Sequence, residues 1–229
     1  MPASDRWNVE LHSHTLYSKD SLTPLKAVIL TCQRKGIDRI AITDHNTADG
    51  ALALAAQAPD LIIVGEEIMT TRGELLGYFM TKTIPAGLTP DEAIRRLRDQ
   101  GAAISVSHPY DRLRKGAWDE PDLLAILDRV DAIETFNARC LFDEDNRKTQ
   151  HLAKTRGKPG TVGSDAHVPY ELGRAMLKMS PFTDAASFIA ALPHATPETV
   201  RSPSWVHLTS TRAKWMKRVG LHKKLWEGG

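Results

Sequence analysis

The chain has 229 residues, 41% of them hydrophobic, which is enough to bury the core of one globular domain and excludes a disordered chain. Its formal net charge is only +2, but residues 201–229 carry seven Lys or Arg residues against one acidic residue. We therefore expect a main domain over residues 1–200, with an excess of acidic groups, and a basic C-terminal tail over residues 201–229.

The cysteines and the start of the chain indicate a reducing compartment. Cys32 and Cys140 are the two cysteines, and their spacing fits neither a disulfide framework nor a zinc knuckle. The opening residues, MPASDRWNVE, lack the apolar core of a signal peptide, and no apolar run approaches the roughly 20 residues that a membrane span requires. We expect a cytoplasmic protein without a membrane span, and the sequence predicts no particular oligomeric state.

Short apolar runs alternate with helical patterns along the chain. The predicted strands are NVELH, RIAIT, LIIVGEEI, LLGYFM, AAISVS, DAIETF and GTVGS. The predicted helices are LKAVILTCQRK, which Gly36 ends, AIRRLRDQ, which follows a capping box at Thr89, and LFDEDNRKTQHLAKTR, which Gly157 ends. Strand and helix alternation at this pace predicts a parallel sheet or barrel, and about seven strands fit a closed β/α barrel.

Polar residues cluster where the predicted strands end. These clusters are His12 and His14, Asp44 and His45, Glu66 and Glu67, His108, and Asp165 and His167. The loops at the carboxyl ends of barrel strands form the active site, so residues far apart in sequence would converge there. Residues i and i+2 of a strand point to the same face, which lets His12 with His14, and Asp165 with His167, each present two ligands.

The residue types indicate which ligand these clusters bind. Imidazoles and carboxylates without a thiolate suit Zn²⁺, Mn²⁺ or Fe²⁺, and the number of carboxylates favours more than one ion. Two such ions can hold a bridging hydroxide as nucleophile while they bind the phosphoryl oxygens of a substrate. Phosphoester hydrolysis is therefore the leading predicted chemistry.

Five motifs and one aspartate occur in order over residues 8–175: LHSHT, Asp20, ITDHNT, GEEI, SHP and GSDAH. In this order they resemble the PHP (polymerase and histidinol phosphatase) family. The resemblance implies an α/β fold, a distorted seven-stranded β/α (TIM-like) barrel with two or three divalent metal ions at its carboxyl-end face. The implied metal ligands are His12, His14, Asp20, His45, Glu67, His108, Asp165 and His167.

The resemblance also implies how these ligands divide. His12 and His14 would share one metal with Asp165, while Asp20, His45 and His167 would serve its neighbour. Glu67 would bridge the two ions and hold the hydroxide between them, His108 fits the ligand of the third motif, and Asp44 would orient a ligand from behind. Asp20 stands where some relatives carry histidine. Glu74 falls near an additional histidine of several relatives, so we expect two metals and leave a third open.

The predicted substrate is a small phosphorylated molecule, with a nucleotide or a short oligonucleotide as candidates. Arg139 and Arg174 each follow a strand end or a metal motif, and their guanidinium groups could bind phosphate oxygens in a bidentate way. Glu66 should face away from the site by strand alternation. Tyr110, Arg112, Arg114 and Lys115 lie in the loop after His108, at the expected opening of the site.

Several functions remain open at this level. Among hydrolases, a histidinol-phosphatase-like enzyme and a short-RNA exonuclease both resemble known uses of the family. A catalytically idle PHP module that acts as a scaffold is the alternative outside enzymes. Such a module would be expected to have lost ligands, whereas all eight metal positions hold competent residue types here. The sequence therefore favours the hydrolase.

The basic tail has two interpretations. Leu208, Trp215, Met216 and Val219 lie near one helical face with cationic residues around it. The favoured interpretation packs Trp215 against the barrel and leaves the cations in water. In the other, the cations attract an anionic polymer to the metal site and Trp226 stacks on a base.

Overall fold

Within residues 6–221, which the computed structural model describes, nine strands form one sheet that curls into a nearly closed barrel. The order across the sheet is β7-β6-β5-β4-β3-β2-β1-β8-β9. The strands are β1 (Trp7–Glu10), β2 (Arg39–Ile42), β3 (Ile62–Met69), β4 (Glu74–Tyr78), β5 (Ala103–Val106), β6 (Ala132–Asn137), β7 (Gly160–Gly163), β8 (Ala175–Met179) and β9 (Thr196–Thr199). The predicted distorted α/β barrel is confirmed, and β8 and β9 add to the seven predicted strands.

The barrel closes between the segments that follow β1 and β7. Ser13 and Ala166 form a single parallel bridge there, and the His14 N–H donates to the Ala166 carbonyl at 2.8 Å. We call this junction the seam. Beside it, β1 pairs in parallel with β2 and antiparallel with β8.

β4 runs against the parallel arrangement that the sequence alternation predicts. It pairs antiparallel with both β3 and β5, with Met69 opposite Glu74. The reason is the short link over residues 70–73, since a parallel crossover needs a dozen or more residues. The amino end of β4 therefore lies at the carboxyl end of β3, and Glu74 is delivered to the edge where the predicted ligands lie.

The helices cover the outside of the sheet. They are α1 (Leu25–Lys35), α2 (Asp49–Ala55), α3 (Pro90–Arg98), α4 (Glu120–Ile126), α5 (Asp143–Thr155), α6 (Ala185–Ala191) and α7 (Val206–Arg218). The three predicted helices correspond to α1, α3 and α5. The Thr89 hydroxyl accepts from the Glu92 N–H at 3.3 Å, but the Glu92 carboxylate pairs with Arg95 and Arg96 instead of completing the capping box. Among residues 6–221, no helix combines the length and apolar character needed to cross a membrane.

The apolar core follows the two-residue alternation of the strands. One buried cluster takes residues from successive strands: Val9, Ala41, Ile63, Leu76, Ala103, Ala132, Val162 and Leu177. The neighbours Ile40 and Ile42 instead pack with Val28, Cys32 and Leu54 of α1 and α2. One face of each strand thus packs in the cluster that the strands share, and the other face packs against the helices. This alternation fixes the direction in which the polar residues after each strand point.

The predicted helix in the basic tail is present as α7, but Trp215 is not its anchor. The buried residues of α7 are Val206, Ser210 and Ala213, which share one helical face, whereas Trp215 is 58% exposed. The prediction that Trp215 packs against the barrel is therefore wrong, because that side chain lies off the buried face. Trp226 lies outside the described residues.

Candidate metal centre

The eight predicted metal ligands lie together at one edge of the barrel. His12 and His14 follow β1, Asp20 lies before α1, His45 follows β2, Glu67 lies in β3, His108 follows β5, and Asp165 and His167 follow β7. All are buried except His45, which is partly buried. The convergence arises because parallel strands present their carboxyl ends at the same edge.

Glu67 occupies the middle of this group. Its Oε1 lies 3.0 Å from His108 Nε2 and 3.4 Å from His12 Nε2. Its Oε2 lies 2.9 Å from His45 Nδ1 and 3.5 Å from His14 Nε2. The two oxygens of one carboxylate thus face two different pairs of imidazoles, His12 with His108 and His14 with His45, so Glu67 lies between the ligand groups and within reach of both.

His12, His14 and Asp165 form the first group of three. His12 Nε2 and His14 Nε2 are 3.1 Å apart, and Asp165 Oδ1 lies 3.1 Å from His14 Nε2 and 3.7 Å from His12 Nε2. Ligand atoms about 2.1 Å from a common ion would lie at about this separation from one another. The group therefore has a size that suits one metal ion.

Hydrogen bonds behind this group fix the tautomers of both histidines. His12 Nδ1 lies 2.8 Å from Glu134 Oε1, a carboxylate, and so carries the proton that it donates. Ser18 donates its hydroxyl proton to Asp44 at 2.6 Å, so His14 Nδ1, 3.0 Å from the same hydroxyl, must donate to it. The two Nε2 atoms then face each other, and either a proton on His12, whose pKa Glu134 and Glu67 raise despite burial, or a metal ion between the rings removes the repulsion of their lone pairs.

Asp20, His45 and His167 form the second group. Asp20 Oδ1 lies 3.4 Å from His45 Nε2 and 3.3 Å from His167 Nε2. Burial opposes a charge on His45, but Glu67 and Asp20 outweigh it and raise the pKa of that imidazole to about 10. A field that holds a proton so firmly also attracts a divalent cation.

Glu74 adds a further carboxyl group. Its Oε1 lies 3.9 Å from His45 Nδ1 and its Oε2 lies 3.6 Å from His108 Nε2, so it approaches the cluster from β4. Burial and the neighbouring Glu67 both raise the pKa of Glu74. With His45 and Glu67 it forms another set of three potential ligands.

The centre fits cations because its acceptors are left without donors. Among the described residues, Asp20 Oδ1, Glu67 Oε2 and Asp165 Oδ1 are buried and accept no hydrogen bond. An imidazole nitrogen lies close to each of these oxygens, but the angle between them does not allow a hydrogen bond. An unpaired buried polar group costs about 1–3 kcal/mol, and bound metal ions would remove that cost. The nitrogen and oxygen donors suit Zn²⁺, Mn²⁺ or Fe²⁺.

Supporting residues behind the ligands were only partly predictable. The Asp44 carboxylate accepts from Thr15 and Ser18 rather than facing the centre, as expected for a residue that orients a ligand. Glu134 was not predicted from the sequence, yet its Oε1 accepts from His12 and its Oε2 accepts from the His108 N–H at 2.8 Å. A glutamate inside the apolar run DAIETF was the available signal.

Glu66 lies on the opposite face of β3. Its Oε2 accepts from the Ile84 N–H at 2.9 Å, and burial raises the pKa of its carboxyl group to about 8. The expectation that Glu66 faces away from the site agrees with this placement.

A cavity of about 240 Å³ adjoins the centre, and only one of the two predicted substrate-binding arginines lines it. Its walls are Asp20, His167, Arg114, Arg139, His207, Lys214 and neighbouring side chains. Arg139 lines the cavity and is 3% exposed. Arg174 does not line it, since its guanidinium donates to the Arg201 carbonyl at 2.6 Å and lies over the Tyr170 ring. Arg114 was predicted only as part of the opening, but it donates to Asp165 Oδ2.

Comparison with known proteins agrees with this architecture. Residues 10–152 match the profile of the PHP domain and residues 143–197 match that of a PHP-associated region. The chain belongs to the PHP family. Over 175 residues it is 38% identical to an uncharacterized protein of Methanocaldococcus jannaschii, which covers 75% of this chain and 70% of the relative.

Solved structures of PHP-like proteins share the fold. A two-domain protein of Bacteroides vulgatus containing a predicted PHP-like metal-dependent phosphoesterase has a TM-score of 0.69 and 18% identity, over 85% of this chain and 65% of that chain. PsfC of Pseudomonas syringae has a TM-score of 0.66 and 20% identity, over 96% of this chain and 99% of that chain. Family membership and the clustered ligands support a metal-dependent enzyme that acts on phosphoester bonds.

Proposed function

We propose that this protein hydrolyses phosphomonoesters or nucleotide phosphoesters with at least two divalent metal ions. The observation that carries the proposal is the placement of Glu67, whose two oxygens face separate pairs of imidazoles. His12, His14 and Asp165 would hold one ion, and Asp20, His45 and His167 would hold the other. Glu67 would bridge them and His108 would complete the set. Mn²⁺, Zn²⁺ and Fe²⁺ are the candidates.

The protein's own residues would prepare the centre for this reaction. When bound, such ions supply Lewis-acid chemistry: they lower the pKa of a coordinated water and neutralise phosphoryl oxygens. Glu134 and Ser18 hold the rings of His12 and His14 with their Nε2 lone pairs inward. Arg114 fixes the Asp165 carboxylate, and Arg139 would present its guanidinium to the phosphate.

Small phosphorylated molecules, including nucleotides, are the proposed substrates. A cytoplasmic location stays a prediction. Two free, buried cysteines within residues 6–221 accord with it.

The test compares two neighbouring glutamates in protein reconstituted with Mn²⁺ and supplied with a panel of phosphoesters. Glu67→Gln should lower kcat by at least about a hundredfold, because it removes a charge from the centre of the ligand set. Glu66→Gln, the matched control, should retain nearly full activity because Glu66 contacts Ile84 instead. A chelator should abolish hydrolysis by the wild-type protein.

Elemental analysis supplies the second arm. We expect at least two metal ions per reconstituted chain. Fewer than one ion per chain, or equal losses of activity in the two glutamate variants, would refute the proposal.

A further inference from the structure

The helix α7 packs beside the metal centre, and hydrogen bonds near both of its ends hold it to the barrel. At its amino end, Arg139 Nη2 donates to the Val206 carbonyl and to Ser210 Oγ, at 2.9 Å each. Towards its carboxyl end, the Lys217 ammonium donates to the Leu16 carbonyl at 2.6 Å and to the Ser18 carbonyl. Leu16 and Ser18 belong to the loop that carries the metal ligands, so α7 lies beside the centre itself.

The 240 Å³ cavity lies between α7 and the metal centre. Asp20 and His167 of the metal centre form one wall, while His207, Thr211 and Lys214 of α7 form another. Drug-sized ligands occupy pockets of about 300–1,000 Å³, so this cavity suits a smaller group. Any ligand in it would touch the metal centre and α7 together.

Three cations line this cavity, and each retains N–H groups for a ligand. Within residues 6–221, the Nη1 groups of Arg114 and Arg139 make no hydrogen bond, and Lys214 has one ion pair, from Nζ to Asp20 Oδ2 at 3.3 Å. Arg139 Nε lies 3.2 Å from Glu171 Oε1 but forms no hydrogen bond with it. Each cation also pairs with a carboxylate: Arg114 with Asp111 and Asp165, Arg139 with Glu171, and Lys214 with Asp20. A compact anion such as phosphate would bind through the N–H groups that remain.

The helix α7 also limits the directions in which the rest of a substrate can extend out of the cavity. A phosphodiester inside a polymer must continue on both sides of the phosphorus. For a phosphate bound in this cavity, α7, which Arg139 and Lys217 hold in place, would cover one of those sides. A terminal phosphate needs only one way out.

We propose that α7 determines the substrate: Lys214 binds the terminal phosphate of a small phosphomonoester, and the helix excludes phosphodiesters within polymers. The inference rests on the proposed function and narrows it to phosphomonoesters. It also gives the basic tail a role at the site, with two of its cations, Lys214 and Lys217, engaged by the barrel.

Calorimetric titration of inorganic phosphate into the metal-reconstituted full-length protein tests the role of Lys214. Lys214→Gln should raise the Kd by at least about fivefold, because one charge-assisted donor is lost. Lys214→Arg should recover most of the affinity. Arg212→Gln is the matched control, since Arg212 is exposed on the same helix and makes no hydrogen bond or ion pair within residues 6–221. Metal content must be equal in all variants, because Lys214 also touches Asp20.

Hydrolysis of a mononucleotide and of a short oligonucleotide with unphosphorylated ends tests the exclusion. We expect kcat/KM to favour the mononucleotide by at least about tenfold. Absence of phosphate binding, equal Kd values for Lys214→Gln and Arg212→Gln, or equal kcat/KM for both substrates would overturn the inference. Lys214-dependent phosphate binding without hydrolysis of any ester would instead refute the proposed function and support the phosphate site.

Discussion

Glu66 and Glu67 are neighbours in β3 with opposite surroundings. Both are buried, but alternation along the strand sends their side chains to different faces. Burial opposes ionisation of Glu67, yet His12 and His45 outweigh it and hold its pKa well below the usual value. Burial raises the pKa of Glu66 to about 8, because a single hydrogen bond from the Ile84 N–H is all that opposes it strongly. At neutral pH, adjacent carboxyl groups therefore differ in charge.

The raised pKa of Glu66 predicts how stability depends on pH. The unfolded chain releases this proton near pH 4.5 and the folded protein near pH 8, so the contribution of Glu66 is intact below pH 4.5 and is lost as the pH rises to about 8. Glu66→Gln cannot ionise. Its melting temperature, relative to that of the wild type, should therefore rise between pH 5 and pH 8.

Thermal unfolding followed by circular dichroism in a common buffer series would measure this difference. Glu10, whose pKa burial raises to about 7, stays present in both proteins and cancels from the comparison. A constant difference between pH 5 and pH 8 would contradict the assignment.

At the scale of elements, α7 is part of the fold rather than a solvated appendage. Val206 is 0% exposed, while Leu208 on the same helix is 71% exposed. Val206→Ala should lower the free energy of unfolding by roughly 1–3 kcal/mol, since it leaves a cavity. Leu208→Ala should change it by less than about 0.5 kcal/mol. Urea denaturation of both variants checks the pair, and equal effects would show that α7 does not pack as described.

Sequence patterns predicted the elements better than their directions. Local apolar runs and caps sufficed for β1 to β7, α1, α3 and α5, because those signals are contained within each segment. The antiparallel direction of β4 depends on a four-residue link, and the seat of α7 depends on Arg139 and Lys217, which bond to residues far away in sequence. Interactions of that kind leave no local pattern.

The same distinction applies to the site. Motif spacing was enough to bring together His12, His14, Asp165 and their partners, since each lies at a strand end. Glu134 and Lys214 were missed because their roles depend on a hydrogen bond to His12 and an ion pair with Asp20 across the fold. Arg174 was chosen by proximity in sequence to the last motif, but its side chain turns to Arg201.

At the scale of the whole molecule, the centre concentrates buried carboxylates whose charge bound cations would neutralise. Filling each site to a hundred times its Kd should add about 2.7 kcal/mol to the free energy of unfolding. We therefore expect a chelator to lower the melting temperature and Mn²⁺ or Zn²⁺ to restore it. Ca²⁺ prefers all-oxygen ligands and should restore little, because imidazoles make up much of this ligand set. Equal stabilisation by Ca²⁺ in scanning calorimetry would contradict the assigned ligand set.

Contacts between the first and last segments of the chain, at the seam and beneath α7, determine when the metal centre can form during synthesis. The Ser164 N–H donates to Glu10 across 154 positions of sequence, and Lys217 reaches Leu16 across 201 positions. Such contacts require the closure of nearly the whole chain, which makes them late events in folding. A nascent chain that ends after β6 already carries His12, His14 and Glu67, but it lacks Asp165, His167 and α7. We therefore expect the complete ligand set to form only after the first and last segments of the barrel have met.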